Sequence, residues 1–157
     1  MKLRQINLYW VKSPLNVPYK VSYRTFDEFE PIMVEALDED GRIGWGEGHI
    51  SPGSSAETRD GGWAFACAHA EKVVGMEAAA AIAHVDGNKK SNKVAATALV
   101  TAIEMLQGDP ILKLDRDVRL PLLTPFNAFD LAGVPTEVER RLEQGFRTLK
   151  IKVGKNV

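Results

Sequence analysis

The sequence is poor in cysteine and has no long apolar run. Cys67 is the only cysteine, so no internal disulfide bond can form, and a lone cysteine fits a reducing compartment. No stretch approaches the ~20 apolar residues that cross a membrane. The first residues also lack the uninterrupted apolar segment of a signal peptide. We therefore expect a soluble, cytoplasmic protein.

An excess of charge of either sign is also absent. The chain has 20 basic and 21 acidic residues, which are dispersed, and its formal net charge is −1. Nucleic acids and anionic membranes select basic patches, so we expect neither as a partner. Internal repeats and low-complexity linkers are missing too, whereas hydrophobic residues make up 45% of the sequence, enough for a core.

The first fifty residues have the pattern of antiparallel strands. Leu3 to Trp10 alternate loosely between apolar and polar residues. Pro31–Leu37 and Ile43–His49 flank the turn-forming sequence Asp38-Glu39-Asp40-Gly41, which predicts a hairpin. Tyr19–Tyr23 is predicted as a short strand or part of a loop.

Alanine-rich helical sequence follows, from about Ser54 to Gln107. Ser54 and Glu57 predict a capping box, and glycines predict breaks at 61–62, 75 and 86–88. The last helix has an apolar stripe of helical period, which Gly108 ends: Val94, Ala95, Ala98, Leu99, Ala102 and Leu106. Strands followed by segregated helices predict an α+β domain.

The remaining residues have the order strand, helix, strand. Val118–Leu123 is the first predicted strand. After Pro135, a capping box of Thr136 and Glu139 predicts the start of the helix, and Gly145 predicts its end. This order is a βαβ unit, which belongs to a parallel sheet.

In the last strand, Leu149, Ile151 and Val153 alternate with Lys150 and Lys152, so the two lysines share one face. Parallel sheets normally continue for several strands, and so short a segment cannot bury a core alone. We therefore expect the chain to be the amino-terminal part of a larger protein, with a domain boundary near Leu114–Asp117.

Four segments together resemble the enolase superfamily, specifically its mandelate racemase and muconate lactonizing enzyme branch. Asp40–Gly48 resembles the hairpin of the family's capping domain, Ser51–Thr58 the loop after it, and Ala96–Leu106 its long helix. Gly145–Gly154 resembles the second barrel strand with its Lys-x-Lys motif.

The resemblance covers essentially the whole chain but only the amino-terminal part of the family's architecture. It implies an α+β capping domain at residues 1–117, a three-stranded antiparallel meander followed by helices. Residues 118–157 would then be the first βαβ unit of a truncated (β/α) TIM-type barrel.

The resemblance also implies the chemistry. The family abstracts the proton next to a carboxylate and uses Mg²⁺, as racemases or epimerases, cycloisomerases and dehydratases. Lys152 is the implied base and Lys150 its electrostatic neighbour, because like-charge repulsion lowers the pKa of an ammonium group. The alternative is an amphipathic strand with both lysines in water. The family's Mg²⁺ ligands lie on later strands, so we assign no metal ligand in this chain.

Candidate substrate contacts fall in three connections. An ordinary connecting role is the alternative for each of these residues. The connection from Pro125 to Pro135 is long for a βα loop and would lie on the face of a barrel where active sites form. In the segment Pro14–Arg24 the candidates are Tyr19, Tyr23 and Arg24. After the hairpin they are His49 and Ser51, and in the Pro125–Pro135 connection the candidate is Asn127.

We expect the whole protein to act on a small-molecule carboxylate substrate and to be a homo-oligomer. The chain on its own is expected to be inactive, because it lacks the strands that carry the family's metal ligands. His69 and His84 are remote from any carboxylate pair in the sequence, so we expect no metal site there. Two alternatives stay open: a stand-alone α+β binding or assembly module, and one half of a split enzyme.

Overall fold

A computed structural model describes residues 1–21, 23–128 and 130–151. The chain forms two compact units. The first unit contains Met1–Pro14 and Glu28–Lys113, and the second contains Leu15–Asp27 and Leu114–Val157. The predicted boundary between a capping domain and a barrel segment stays a prediction.

Five strands occupy the first part of the chain: β1 (Leu3–Trp10), β2 (Ser13–Val21), β3 (Arg24–Phe29), β4 (Ile32–Asp38) and β5 (Ile43–Gly48). Strands β1, β4 and β5 form an antiparallel sheet in that order, which confirms the predicted three-stranded arrangement. Strands β2 and β3 pair with each other. The sequence predicted this inserted hairpin only as a loop or a short strand.

The predicted hairpin turn between β4 and β5 is confirmed, and the buried carboxylate of Asp38 holds it. Asp38 Oδ1 accepts the N–H groups of Asp40 (3.0 Å) and Arg42 (2.8 Å), and Oδ2 lies 2.7 Å from Arg42 Nε. Burial alone would raise the pKa of Asp38. The hydrogen bonds and charge of Arg42, with the Asp40 N–H, outweigh burial and lower this pKa.

Three helices follow: α1 (Arg59–Val73), α2 (Ala78–Asn88) and α3 (Lys93–Gln107). The predicted stripe of α3 is confirmed as its buried face, and Gly108, with φ of 69°, ends the helix. Helix α3 packs on β4 and β5, and α1 packs on β1. A Cβ at Gly46 would overlap the carbonyl oxygen of Ala98, so glycine permits the close approach of α3 to β5.

Three local predictions in this region are wrong. Ser54 and Glu57 do not form a capping box, because Thr58 caps α1 by accepting the Gly61 N–H at 3.1 Å. The glycine pair 61–62 does not break the helix either. Gly62 lies inside α1, where a Cβ would overlap Ile50 Cδ1, so this glycine serves packing. The break predicted at 86–88 is also misplaced, since α2 continues to Asn88.

The described part of the second unit contains the predicted βαβ unit: β6 (Leu123–Pro125), α4 (Gly133–Glu143) and β7 (Thr148–Lys150). Strands β6 and β7 are parallel, with Leu123 opposite Thr148 and Pro125 opposite Lys150. The first strand was predicted too early, at Val118–Leu123. Val118, Leu120 and Leu122 are exposed and lie outside a strand.

The capping box predicted from Thr136 and Glu139 is also wrong. Helix α4 begins at Gly133, whose N–H donates to Asp130 Oδ1 at 2.6 Å. Pro135 lies in the first helical turn, where a backbone N–H has no acceptor within the helix. The absence of this group from proline therefore costs no hydrogen bond. Gly145, with φ of 90°, follows the helix as predicted. No helix in the described ranges has the length and apolarity needed to cross a membrane.

Candidate active site

The predicted catalytic segment lies at the carboxyl end of β7. Lys150 is the last residue of that strand, its side chain is exposed, and its Cα is paired with that of Pro125, the last residue of β6. The carbonyl oxygen of Lys150 accepts the Phe126 N–H at 3.0 Å. Active sites in (β/α) folds form at such carboxyl ends. Lys152, the predicted base, lies outside the described residues.

Asn127 lies next to this strand end, two residues after β6, and α4 fixes its backbone. The Asn127 N–H donates to Oε2 of the buried Glu137 at 3.0 Å. The other oxygen of Glu137 lies 3.2 Å from Arg141 Nη2 and 3.5 Å from Arg140 Nη2. Glu137 was not among the site residues predicted from the sequence. The sequence pattern that could have identified it is a glutamate followed by arginines at i+3 and i+4 on one helix face.

Three candidate substrate contacts lie on the β2–β3 hairpin. Tyr19 is in β2, Tyr23 is exposed in the turn, and Arg24 is the first residue of β3. The Arg24 guanidinium lies 4.9 Å from the centre of the Phe26 ring.

His49 and Ser51 lie on the loop that follows β5. The half-buried His49 ring lies 4.6 Å from the Phe29 ring. The carbonyl oxygen of Ser51 accepts the Ser54 N–H (3.1 Å) and hydroxyl (2.7 Å), which closes a turn. At the end of the loop, the buried Glu57 accepts the N–H groups of Val94 (3.0 Å) and Ala95 (3.1 Å). Glu57 therefore caps α3 and anchors the loop.

The structure brings some of the predicted residues together and separates others by unit. Lys150 and Asn127 lie at adjacent strand ends of the second unit, to which Tyr19, Tyr23 and Arg24 also belong. His49 and Ser51 belong to the first unit.

The described residues do not form a metal centre. Across residues 1–21, 23–128 and 130–151, no three His, Cys, Asp or Glu side chains come together to hold an ion. They therefore do not fit the oxygen-rich ligand set that Mg²⁺ requires. His69 Nδ1 and His84 Nε2 lie 3.0 Å apart and link α1 to α2. Burial lowers the pKa of His69, and the charges of His84 and Lys72 lower it further.

Comparison with known proteins supports the family resemblance, although no family model matches the chain. The L-Ala-D/L-Glu epimerase of Bacillus subtilis (strain 168) is 26% identical over 99% of this chain and 45% of its own length. The o-succinylbenzoate synthase of Geobacillus stearothermophilus is 28% identical over 98% of this chain and 44% of its own length. The chain thus spans less than half of these relatives.

Solved structures share the fold. N-succinyl Arg/Lys racemase from Bacillus cereus ATCC 14579 matches 99% of this chain with 45% of its own, at a TM-score of 0.87 and 20% identity. The dipeptide epimerase from Methylococcus capsulatus was solved with Mg and the dipeptide L-Arg-D-Lys. The match covers 98% of this chain and 46% of the epimerase, with a TM-score of 0.83 and 24% identity.

The chain resembles these relatives in both sequence and fold. They are enzymes of the mandelate racemase and muconate lactonizing enzyme branch of the enolase superfamily. The resemblance predicted from the sequence is confirmed, and the first unit has the strand and helix order of the family's α+β capping domain.

Proposed function

We propose that this chain supplies the capping domain and the first βαβ unit of an enzyme that removes the α-proton of a carboxylate substrate. The observation that carries the proposal is the position of Lys150. Lys150, the described lysine of the Lys-x-Lys motif, is the last residue of β7, and its Cα is paired with that of Pro125, two residues before Asn127. The relatives are named for dipeptide epimerisation and N-succinyl amino acid racemisation, so an N-acyl amino acid or dipeptide is the proposed substrate class.

In this proposal Lys152 takes the α-proton onto its amine, which must be neutral in the resting enzyme. The alternation in the sequence predicts that Lys150 and Lys152 share one face, and the charge of Lys150 would then favour the neutral amine of Lys152 through repulsion. Proton return to the opposite side of the α-carbon would complete an epimerisation. The family resemblance implies that the residue which returns the proton lies on a later strand.

The substrate contacts that we propose are the candidate residues predicted from the sequence. Arg24 is suited to the substrate carboxylate, because a guanidinium binds a carboxylate through paired hydrogen bonds. Mg²⁺ is the proposed cofactor, as in the solved dipeptide epimerase complex, with its ligands outside the described residues. The lone Cys67 suits a cytoplasmic location. The further proposed contacts are Tyr19, Tyr23, His49, Ser51 and Asn127.

The test measures incorporation of solvent deuterium at the α-carbon of L-Ala-L-Glu by the whole protein. Lys152→Ala should reduce exchange by about 10²–10⁴-fold, because the general base is lost. Lys150→Met should leave weaker exchange with a pH optimum shifted upward, because the pKa of Lys152 would return toward that of an ordinary lysine.

Lys90→Met is the matched control, since Lys90 is exposed on the 3₁₀ turn Lys89–Ser91. It should leave exchange unchanged. The chain alone should show no exchange, with or without Mg²⁺. Near-normal exchange by a folded Lys152→Ala protein would refute the assignment of the base.

A further inference from the structure

The three-stranded sheet has a second face, directed away from α1 and α3. Residues on the helix side, such as Val34, Ala36 and Gly46, are buried, and their neighbours along each strand point the other way. The register places three residues of each strand on this opposite side. We call it the outer face: Gln5, Asn7 and Tyr9 of β1, Met33, Glu35 and Leu37 of β4, and Ile43, Trp45 and Glu47 of β5.

The composition of the outer face is unusual for a surface that meets water. A solvated sheet face normally carries polar residues, but five of these nine side chains are apolar or aromatic. Tyr9 (42%), Ile43 (49%) and Trp45 (40%) keep a large exposed fraction. The only charged residues on the face are two glutamates, Glu35 and Glu47, and none of the nine is basic.

The centre of the outer face holds an oriented carboxylate beside two aromatic rings. Glu35 Oε2 accepts hydrogen bonds from Asn7 Nδ2 (2.7 Å) and Tyr9 Oη (2.9 Å). Asn7 is itself held by Gln5, whose Nε2 lies 2.7 Å from Asn7 Oδ1. The rings of Tyr9 and Trp45 come from the two outer strands and stack across the central one, with centroids 6.1 Å apart at 28°.

This arrangement suits a guanidinium group. A carboxylate has about four lone-pair sites, so the two donors already on Glu35 leave capacity for a third partner. Guanidinium groups donate to carboxylates and stack on aromatic faces, and arginine is enriched at protein interfaces for both reasons. A lysine ammonium could also donate to Glu35, but it lacks the planar group that stacks on aromatic rings.

Charge decides between two protein occupants of the outer face. A second copy docked face to face about a twofold axis would bring four glutamates together with no cation between them. Buried carboxylates without a cationic partner are costly, so this pairing is disfavoured. A partner carrying an arginine would neutralise Glu35 while its apolar neighbours cover Ile43 and Trp45.

We propose that the outer face is a docking surface for a protein partner that presents an arginine side chain flanked by apolar residues. This surface is distinct from the proposed active site and does not depend on the proposed function.

The test uses the ¹⁵N-labelled chain and a blocked peptide with one arginine between two valines. A second peptide carries citrulline, the uncharged analogue of arginine, at that position. The arginine peptide should shift the Trp45 indole N–H and the amides of the outer face. The citrulline peptide should bind about tenfold more weakly, because the charge-assisted hydrogen bond is lost.

Variants locate the interaction. Glu35→Gln should weaken binding of the arginine peptide by about tenfold, and Glu47→Gln should weaken it less, since Glu47 is not the carboxylate between the rings. Glu39→Gln is the matched control, because it makes the same charge change in the adjoining turn, outside the outer face. Thermal melts confirm that each variant is folded.

Four outcomes of the peptide experiments would overturn the proposal. These are equal affinity for the two peptides, shifts confined to other surfaces, no saturable binding at millimolar peptide, and an equal loss with Glu39→Gln. Concentration-dependent shifts of Trp45 without peptide would identify a second copy as the occupant, and would also refute it.

Discussion

Three buried carboxylates organise the loops of this chain by accepting main-chain N–H groups. Asp38 holds the β4–β5 turn, Glu57 caps α3, and Glu137 fixes the backbone at Asn127. Only the role of Asp38 could be predicted from a local sequence motif, because Asp38 lies inside the turn that it stabilises. Glu57 acts on residues 37 and 38 positions away, and no local spacing rule reaches that far.

At Asp38, we predict an acid-dependent loss of stability. The folded pKa lies below the ordinary aspartate value of about 3.9, so the unfolded chain binds the proton first as pH falls. The contribution of Asp38 is therefore complete above about pH 4 and is lost as pH falls through the folded pKa. Asp38→Asn should lower the Tm at neutral pH and flatten its dependence on pH below about 4.

Thermal melts between neutral pH and about pH 2 measure this effect. Asp40→Asn is the control, because Asp40 is exposed in the same turn and also pairs with Arg42, at 3.1 Å. Surface ion pairs contribute little, so Asp40→Asn should scarcely change the Tm. An equal decrease in Tm in the two variants would show that the burial of Asp38 does not determine its contribution to stability.

At Glu57, we predict loss of the α3 cap. Glu57→Ala leaves the N–H groups of Val94 and Ala95 without their acceptor and should lower the free energy of unfolding by about 2–3 kcal/mol. Glu57→Gln retains one acceptor oxygen and should lose about half as much. Urea denaturation measures both values. Glu71→Ala, on the exposed side of α1, is the control and should change stability by less than about 0.5 kcal/mol.

At the scale of elements, the glycines of β5 set how closely α3 approaches the sheet. Gly46→Ala should destabilise the chain by about 3 kcal/mol or more, because the new methyl group overlaps the backbone of α3 at Ala98. Gly87→Ala should stabilise it by about 0.5–1 kcal/mol, because Gly87 lies in α2 with open space around its Cβ position. Urea denaturation of the two variants should give changes of opposite sign.

The elements that periodicity defines were predictable, and those that depend on distant packing were not. The α3 stripe and the β4–β5 hairpin follow from local patterns, and both are confirmed. The role of Gly46 and Gly62 was not visible, because a glycine that admits a neighbouring element resembles a glycine that breaks one. Strand β6 was misplaced because its apolar neighbours at 118–122 suggest a strand more strongly than Leu123–Pro125 does.

The candidate site was predictable only as a set of segments. The Lys-x-Lys alternation and the resemblance led to Lys150, and the pairing with β6 adds that Asn127 follows the adjacent strand end. Glu137 could not be assigned, because its partner Asn127 is ten residues away along the chain and becomes a neighbour only when α4 packs beside the strand end.

At the scale of the whole molecule, the two units differ in how well their apolar residues are covered. The first unit contains the buried cluster between the sheet and α1 to α3. Among the residues of the second unit that the structure describes, β6 and β7 form a sheet of two short strands, which is marginal by itself. Several large apolar residues there are largely exposed: Leu120 (73%), Leu122 (71%), Leu131 (92%) and Ile151 (68%).

We predict that the chain self-associates through this second unit. Exposed apolar residues beside unpaired strand edges recruit further copies of a chain. Leu122→Lys should weaken self-association by about tenfold or more, because each buried leucine contributes about 1.5–3 kcal/mol. Val74→Lys is the control, since Val74 is 44% exposed just after α1 in the first unit, and it should leave association unchanged. Sedimentation velocity over a range of concentrations measures the effect. A monodisperse monomer with strong amide protection through Thr148–Lys150 would instead show that two strands suffice for a stable second unit.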